Sequence, residues 1–219
     1  GHVTITLPTA LNAEGEPMLA ADYEELTGEL TAESDSVVLT GATSGYHPGE
    51  TVEVTVPAEE TTANLSLKLT YRAKGSLVRY TNTSTIRVWN TDPQDAFEAE
   101  WPEDLILLGQ SIDSATAGEE AAYFPQLISG DTVDAALTRV SGTSADVSLG
   151  SGMHRVFTFD GSAEPSCILP LRQINGAGDT VYRLDVTITL TCGRTVNLSR
   201  EFTYRVLTAA DMPTVTFAT

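Results

Sequence analysis

One hairpin pattern occurs twice in this chain. In the C-terminal half it reads Leu184-Asp-Val-Thr-Ile-Thr-Leu190, a turn at Cys192-Gly193-Arg194, then Val196-Asn-Leu198, ending Phe202-Thr-Tyr-Arg-Val206. In the N-terminal half it reads Leu65-Ser-Leu-Lys-Leu-Thr-Tyr71, a turn at Lys74-Gly75, then Val78-Arg-Tyr80, ending Ile86-Arg-Val88. Alternation of apolar and polar residues is the period of a strand with one buried face. Leu65, Leu67, Leu69 and Tyr71 lie 119 positions before Leu184, Val186, Ile188 and Leu190. After the turn the offset falls to 118, as a two-residue turn in one copy and a three-residue turn in the other predicts.

Strand parity then assigns an inward face. In the first hairpin it holds Leu65, Leu67, Leu69, Tyr71, Val78, Tyr80, Ile86 and Val88. In the second it holds Leu184, Val186, Ile188, Leu190, Val196, Leu198, Phe202, Tyr204 and Val206. Each hairpin can anchor its own core, so the expected fold is all-β: two tandem antiparallel Ig-like β-sandwich domains. Their expected limits are 1–98 and 99–219, because Asn90–Glu100 is acidic, contains Pro93 and lacks periodicity. A length of 219 residues suits two ordinary domains.

The other elements fill in this plan. Val3–Leu7, Val37–Leu39 and Val52–Val56 read as strands, the last following the turn cluster Gly45-Tyr-His-Pro-Gly49. Residues 10–34 are open between a short helix after Pro17 and a strand over Tyr23–Leu30. In the second half, Arg155–Phe159 and Cys167–Leu171 are strands. One short helix is expected at 131–140, with Asp131 as cap and Val133, Leu137 and Val140 on one face.

Charge is unevenly distributed within a net −18. Residues 1–67 hold twelve acids and no base, residues 68–91 five bases and no acid, and residues 92–138 eleven acids and no base. An acidic surface repels phosphate backbones, which argues against nucleic acid as a partner. Charge of this size also serves solubility. The sharper alternative is a basic hairpin (Lys68, Arg72, Lys74, Arg79, Arg87) offered to an acidic partner. No apolar run approaches the roughly 18 residues of a membrane span.

Candidate chemistry is sparse. His2, His47 and His154 show no HxH or HExxH spacing, and no serine sits in GxSxG or SxxK. No catalytic, cofactor-binding or metal-binding residue is therefore assigned, and the chain reads as a non-enzyme. The acids Asp92, Asp95, Glu98, Glu100, Glu103 and Asp104 have the ligand type for a structural calcium but not its regular loop spacing. Cys167 and Cys192 leave two readings open, a pair of thiols or a disulfide. A bridge over that 26-residue loop would stabilise by about 3.5 kcal/mol and point to an oxidising compartment. Trp89 and Trp101, with the loop tyrosines Tyr46 and Tyr123, are the candidates for stacking on a glycan; packing between the domains is the other use of the tryptophans.

The run Gly-Tyr-His-Pro-Gly-Glu-Thr-Val-Glu-Val-Thr-Val within Val37–Val56 resembles the turn-and-strand pattern of bacterial surface Ig-like modules. The tandem of acidic, Thr-rich sandwiches is similar in style to gut-bacterial surface lipoproteins and fimbria-associated proteins. Trp101-Pro-Glu-Asp-Leu-Ile-Leu-Leu-Gly109 more loosely resembles the opening strand of outer-membrane starch-binding lipoproteins, but no Gly-Trp follows. These resemblances imply a bacterial extracellular, cell-surface or periplasmic location, with room for a lipid anchor upstream. They carry over no binding residue. The expected function is a secreted or cell-surface structural or adhesive module whose partner is a surface protein or glycan. Its alternative is a glycan-binding module, and a hydrolase ranks third.

Overall fold

The computed structural model describes residues 1–108, 120–161 and 165–208. The chain divides into two compact units, Gly1–Ala96 and Phe97–Thr219. Both are β-sandwiches.

The first unit contains β1 (His2–Thr6), β2 (Tyr23–Ala32), β3 (Val38–Gly41), β4 (Thr51–Thr55), β5 (Thr62–Ala73) and β6 (Tyr80–Trp89). They form two antiparallel sheets, β1-β4-β3 and β2-β5-β6. The open segment resolves as strand β2, entered through a 3-10 turn at Ala20–Asp22. Leu30, Ala63, Leu65 and Val88 of one sheet meet Val52 and Val54 of the other, with Leu7, Val37 and Val56 closing the ends. Each of the Leu and Val side chains stabilises by roughly 1.5–3 kcal/mol when fully buried.

The two sheets differ in reach. The β1-β4-β3 strands have four or five residues, whereas β5 has 12. At about 3.3 Å per residue, β5 runs about 40 Å against about 17 Å for the sheet facing it. Beyond Leu65 the cover changes from strands to the Gly45–Pro48 loop, which lies over Gly28, Leu67 and Leu69. The Gly45 N–H donates to the Gly28 carbonyl at 2.7 Å. A Cβ on Gly28 would sit 2.6 Å from the Gly45 carbonyl oxygen, so only glycine permits this approach.

The second unit contains β7 (Leu105–Leu108), β8 (Glu120–Tyr123), β9 (Thr132–Ser141), β10 (Ala145–Val147) and β11 (His154–Thr158). It continues with β12 (Ser166–Leu169), β13 (Leu171–Ile174), β14 (Gly178–Thr189) and β15 (Thr195–Leu207). One sheet has the order β11-β9-β14-β15-β7, with β7 parallel to β15. The pairs β8–β12 and β10–β13 form the remaining sheets, β12 and β13 being separated by Pro170, which has no N–H to give.

Several expectations are corrected. Residues 131–140 are not a helix: Thr132–Ser141 is strand β9, hydrogen-bonded to β11 and β14 on its two sides. Val133, Ala135 and Leu137 alternate inward at period two, while Val140 of the proposed helical stripe is 47% exposed. A central place in the sheet overrides the local cap-and-stripe signal. Asp131 is instead a buried staple whose carboxylate accepts the Ile128 N–H at 3.0 Å and the Thr191 N–H at 2.8 Å.

Both hairpins form, but with loops 74–79 and 190–194 rather than two- and three-residue turns. Leu65 faces Ile86, whereas its equivalent Leu184 faces Arg200, so the cross-turn offset is 114 rather than 118. A slip of four residues is even, which preserves the inward parity. The inward set of β14–β15 is buried apart from half-buried Leu198. Of the inward set of β5–β6, only Leu65 and Val88 are buried. Leu67, Leu69, Tyr71 and Ile86 are half-buried, and Val78 and Tyr80 are each 51% exposed.

Cys167 and Cys192 are free thiols rather than a bridge. Cys167 points inward from β12 opposite Ala122, while Cys192 sits exposed in the β14–β15 loop. Burial pushes the Cys167 thiol up to about 11.

Candidate functional site

The strongest surface feature lies where β5 and β6 outrun the sheet that faces them. Tyr71 and Tyr80 are a cross-strand pair, their rings stacked at 5.5 Å and 21°. Tyr23, at the start of β2, meets Tyr71 edge-on at 5.8 Å and 89°. Both arrangements suit the quadrupoles of aromatic rings. Leu77 and Val78 in the adjoining loop are 97% and 51% exposed.

The chain before β2 supplies the opposite wall. Leu11 and Pro17 form a β-bridge, and the Asn12 side-chain oxygen accepts the N–H groups of Glu14 and Glu16 at 3.1 and 2.8 Å. This turn swings Met18 inward to 5% exposure, where its carbonyl accepts the Tyr46 hydroxyl at 3.1 Å. A groove of about 460 Å³ results, walled by Leu11, Asn12, Met18, Tyr23, Tyr71 and Tyr80. A second groove, of about 500 Å³, shares Asn12, Met18 and Tyr23 and carries Glu16 and Asp22. The Tyr23 hydroxyl is held above its ordinary value, first by desolvation and then by the negative field of Tyr71, Asp22 and Glu14.

Two of the five basic residues of this hairpin, Arg72 and Arg79, are held in ion pairs within the unit. Arg72 pairs with Glu24 at 2.6 Å and Arg79 with Glu25 at 2.8 Å. Lys68 stands opposite Glu29 in the register, and Arg87 donates to the Asn64 side-chain oxygen at 3.0 Å. Acid-bearing β2 lies beside β5, so part of the charge segregated along the chain is neutralised between β2 and the β5–β6 hairpin.

The four aromatic candidates are divided between the units, Tyr46 and Trp89 in the first, Trp101 and Tyr123 in the second. All four are half-buried. Tyr46 spends its hydroxyl on Met18, Trp89 lies opposite Thr62, and Tyr123 lies opposite Ser166. Trp101 precedes β7; Gly109, which ends the stretch resembling starch-binding lipoproteins, lies outside the described residues. The acids considered for calcium are likewise divided, Asp92 and Asp95 from Glu98, Glu100, Glu103 and Asp104. Asp92 accepts the Gln94 N–H, and Asp104 accepts the Thr203 N–H at 2.6 Å. Among the described residues no group of three His, Cys, Asp or Glu side chains is placed to hold a metal ion.

His2 and His47 belong to the first unit and His154 to the second. His154 Nε2 lies 2.7 Å from Asp134 Oδ1, but both side chains are more than half exposed, and such surface pairs contribute about 0–1 kcal/mol. His47 contacts the Ser44 carbonyl, and His2 contacts the Thr55 hydroxyl. Sequence reasoning missed Tyr23 and placed Tyr71 and Tyr80 in the core. A usable signal was present: Tyr71, Leu77, Val78 and Tyr80 crowd one hairpin end, while the candidate facing strands, Val3–Leu7 and Val52–Val56, are short.

No protein-family model and no curated protein matches the chain. Among solved structures, the adhesive subunit CfaE of the CFA/I fimbria of enterotoxigenic Escherichia coli aligns over 94% of this chain and 79% of its own, at 10% identity and a TM-score of 0.30. The protocadherin gammaB7 EC3-6 cis-dimer structure aligns over 95% of this chain and 50% of its own, at 13% identity and a TM-score of 0.31. Protocadherin gamma B2 domains 3–6 give 12% identity and a TM-score of 0.28, again over half of that chain. Likeness at this level assigns neither a family nor a function.

Proposed function

We propose that this chain is a non-enzymatic structural or adhesive module, secreted or displayed at a bacterial cell surface, that meets its partner through the aromatic end of the first unit. One observation carries the reading. Half-buried Tyr23 and Tyr71 and exposed Tyr80 line a groove, with exposed Leu77 and Val78 in the adjoining loop, whereas the aromatic cluster of the second unit, Tyr182, Phe202 and Tyr204, is buried. Contiguous exposed apolar surface rimmed by polar groups is characteristic of interaction sites. The charged groups shifted from their ordinary values also have structural explanations. Asp179 and Arg205 hold one another, and Asp185 is held first by the Ser199 hydroxyl and then by Arg183, on the strands β14 and β15.

The test is binding of the intact chain to arrays of surface glycans and extracellular proteins, with the double variant Tyr71→Ala/Tyr80→Ala as comparison. A ligand lost in the variant, with second-unit stability unchanged, supports the reading. Turnover of any member of a hydrolase substrate panel, or array binding indifferent to both tyrosines, overturns it.

A further inference from the structure

We infer that the groove at the end of the β5–β6 hairpin receives a cationic side chain, lysine or arginine, from a basic segment of a partner protein. The inference rests on the adhesive reading above and names its partner chemistry. Two independent features of the groove point to a cation.

The first is the arrangement of the rings. Tyr71 lies between Tyr80, stacked on it, and Tyr23, edge-on to it, and Tyr80 keeps half of its surface open to water. An ammonium or guanidinium group over an open tyrosine face gains about 0.5–1 kcal/mol at an exposed site and about 2 kcal/mol when desolvated. The Tyr71 hydroxyl lies 3.4 Å from the Asn82 amide nitrogen, while the Asn12 side-chain oxygen is committed to its own turn. The polar groups here therefore leave the ring faces as the main recognition element.

The second is charge. Glu16 and Asp22 line the adjoining groove, and Glu14 belongs to the same turn. These three carboxylates have no ion-pair partner among the described residues, in contrast to Glu24 and Glu25, which hold Arg72 and Arg79. Lys74 adjoins them through its backbone N–H, which donates to the Asp22 carbonyl at 3.1 Å. Glu16 and Asp22 thus line a groove that shares Asn12, Met18 and Tyr23 with the aromatic cavity of about 460 Å³. The unit as a whole carries 14 acids and 5 bases, so its far field draws the same kind of partner.

The experiment titrates the full chain with a synthetic Gly-Ser peptide bearing two arginines and two lysines. The same peptide with glutamates in their place, and neutral cellohexaose, serve as the other arms. The basic peptide should bind alone among the three and weaken as salt is raised. Tyr80→Phe should retain its affinity, whereas Tyr80→Leu, which keeps the apolar bulk but loses the ring face, should weaken it about 3- to 10-fold. Glu16→Gln/Asp22→Asn should weaken it comparably, and Lys74→Glu should strengthen it. Glu103→Gln, an exposed acid of the second unit, should change nothing. Equal loss in Glu103→Gln would mean unspecific attraction to an acidic protein and overturn the inference. Equal affinity in Tyr80→Leu and Tyr80→Phe would overturn the cation–ring contact. Tyr80-dependent binding of cellohexaose without the basic peptide would overturn the cation yet leave the adhesive surface standing. Binding of no probe by the folded chain would overturn the cation while leaving the array test of adhesion to stand by itself.

Discussion

The β5–β6 and β14–β15 hairpins carry the same alternating pattern but occupy different surroundings. β14 lies between β9 and β15, and Leu184, Val186 and Ile188 are 2% exposed or less. β5 also lies between two strands, but Leu67, Leu69 and Tyr71 stay half-buried as it outruns the sheet facing it. The strand pattern selects which side chains share a face; the extent of the opposite layer decides whether that face becomes core. In the second unit the aromatic residues complete a core, with Tyr182, Phe202 and Tyr204 packed at 5.8–6.2 Å. In the first they are left as a surface.

The largest expected contrast comes from placing a carboxylate on equivalent inward positions. Val186→Asp buries a charge without a partner and should destabilise the second unit by roughly 4 kcal/mol or prevent its folding. Leu67→Asp, on a half-buried position, should cost about 1–2 kcal/mol, because the carboxylate can stay hydrated. The outward neighbours Lys68→Asp and Thr187→Asp should cost roughly 0.5 kcal/mol or somewhat more. Urea unfolding of the four variants measures this order. Equal damage from Leu67→Asp and Val186→Asp would remove the proposed difference between the hairpins.

A smaller effect separates the aromatic clusters. The Tyr182 hydroxyl donates to the Ala145 carbonyl at 3.2 Å and accepts the Val147 N–H at 3.0 Å and the Arg139 guanidinium at 3.1 Å. Tyr182→Phe should therefore cost about 1–3 kcal/mol, since the groups left behind are partly or fully buried. The buried Tyr204 hydroxyl has no hydrogen-bond partner among the described residues, and Tyr204→Phe should be neutral or slightly stabilising. Tyr80→Phe should stay within about 0.5 kcal/mol of the parent. Thermal unfolding of the three variants checks the ranking, and a costly Tyr80→Phe would show that the first cluster is structural after all.

The smallest effect concerns acid. The Ser199 hydroxyl, and then Arg183, hold the Asp185 carboxyl below the usual aspartate range, and Arg205 does the same for Asp179. A carboxyl with a lowered folded pKa contributes fully above its unfolded value, near 4, and loses the contribution as pH falls through the folded value. Protection factors of the β14–β15 amides, taken relative to the intrinsic exchange rate at each pH, should therefore fall as the pH drops from about 5 to about 2. Asp185→Asn should flatten that dependence by no more than about 1 kcal/mol, as for an exposed pair. An unchanged acid response in Asp185→Asn would assign the loss to other groups.

Much of this architecture is legible in the residues. Alternation over Leu184–Leu190 and Leu65–Tyr71, with Gly193 and Gly75 in the intervening loops, determined two hairpins and their inward parity, because the two-residue period of a strand is a local property. The candidate surface was less legible. Tyr71 and Tyr80 obey the same parity as Leu65, and parity contains no information about the length of the facing sheet. Tertiary structure alone placed the short β1-β4-β3 sheet over one end of β5 and the Leu11–Pro17 turn beside the other. It also turned Asp131–Val140 from an amphipathic helical pattern into a central strand, because partners on both sides outweigh a local preference. Arg72 and Arg79 met Glu24 and Glu25 of β2 for the same reason: sequence records which charges exist, and strand pairing decides which of them remain to meet a partner.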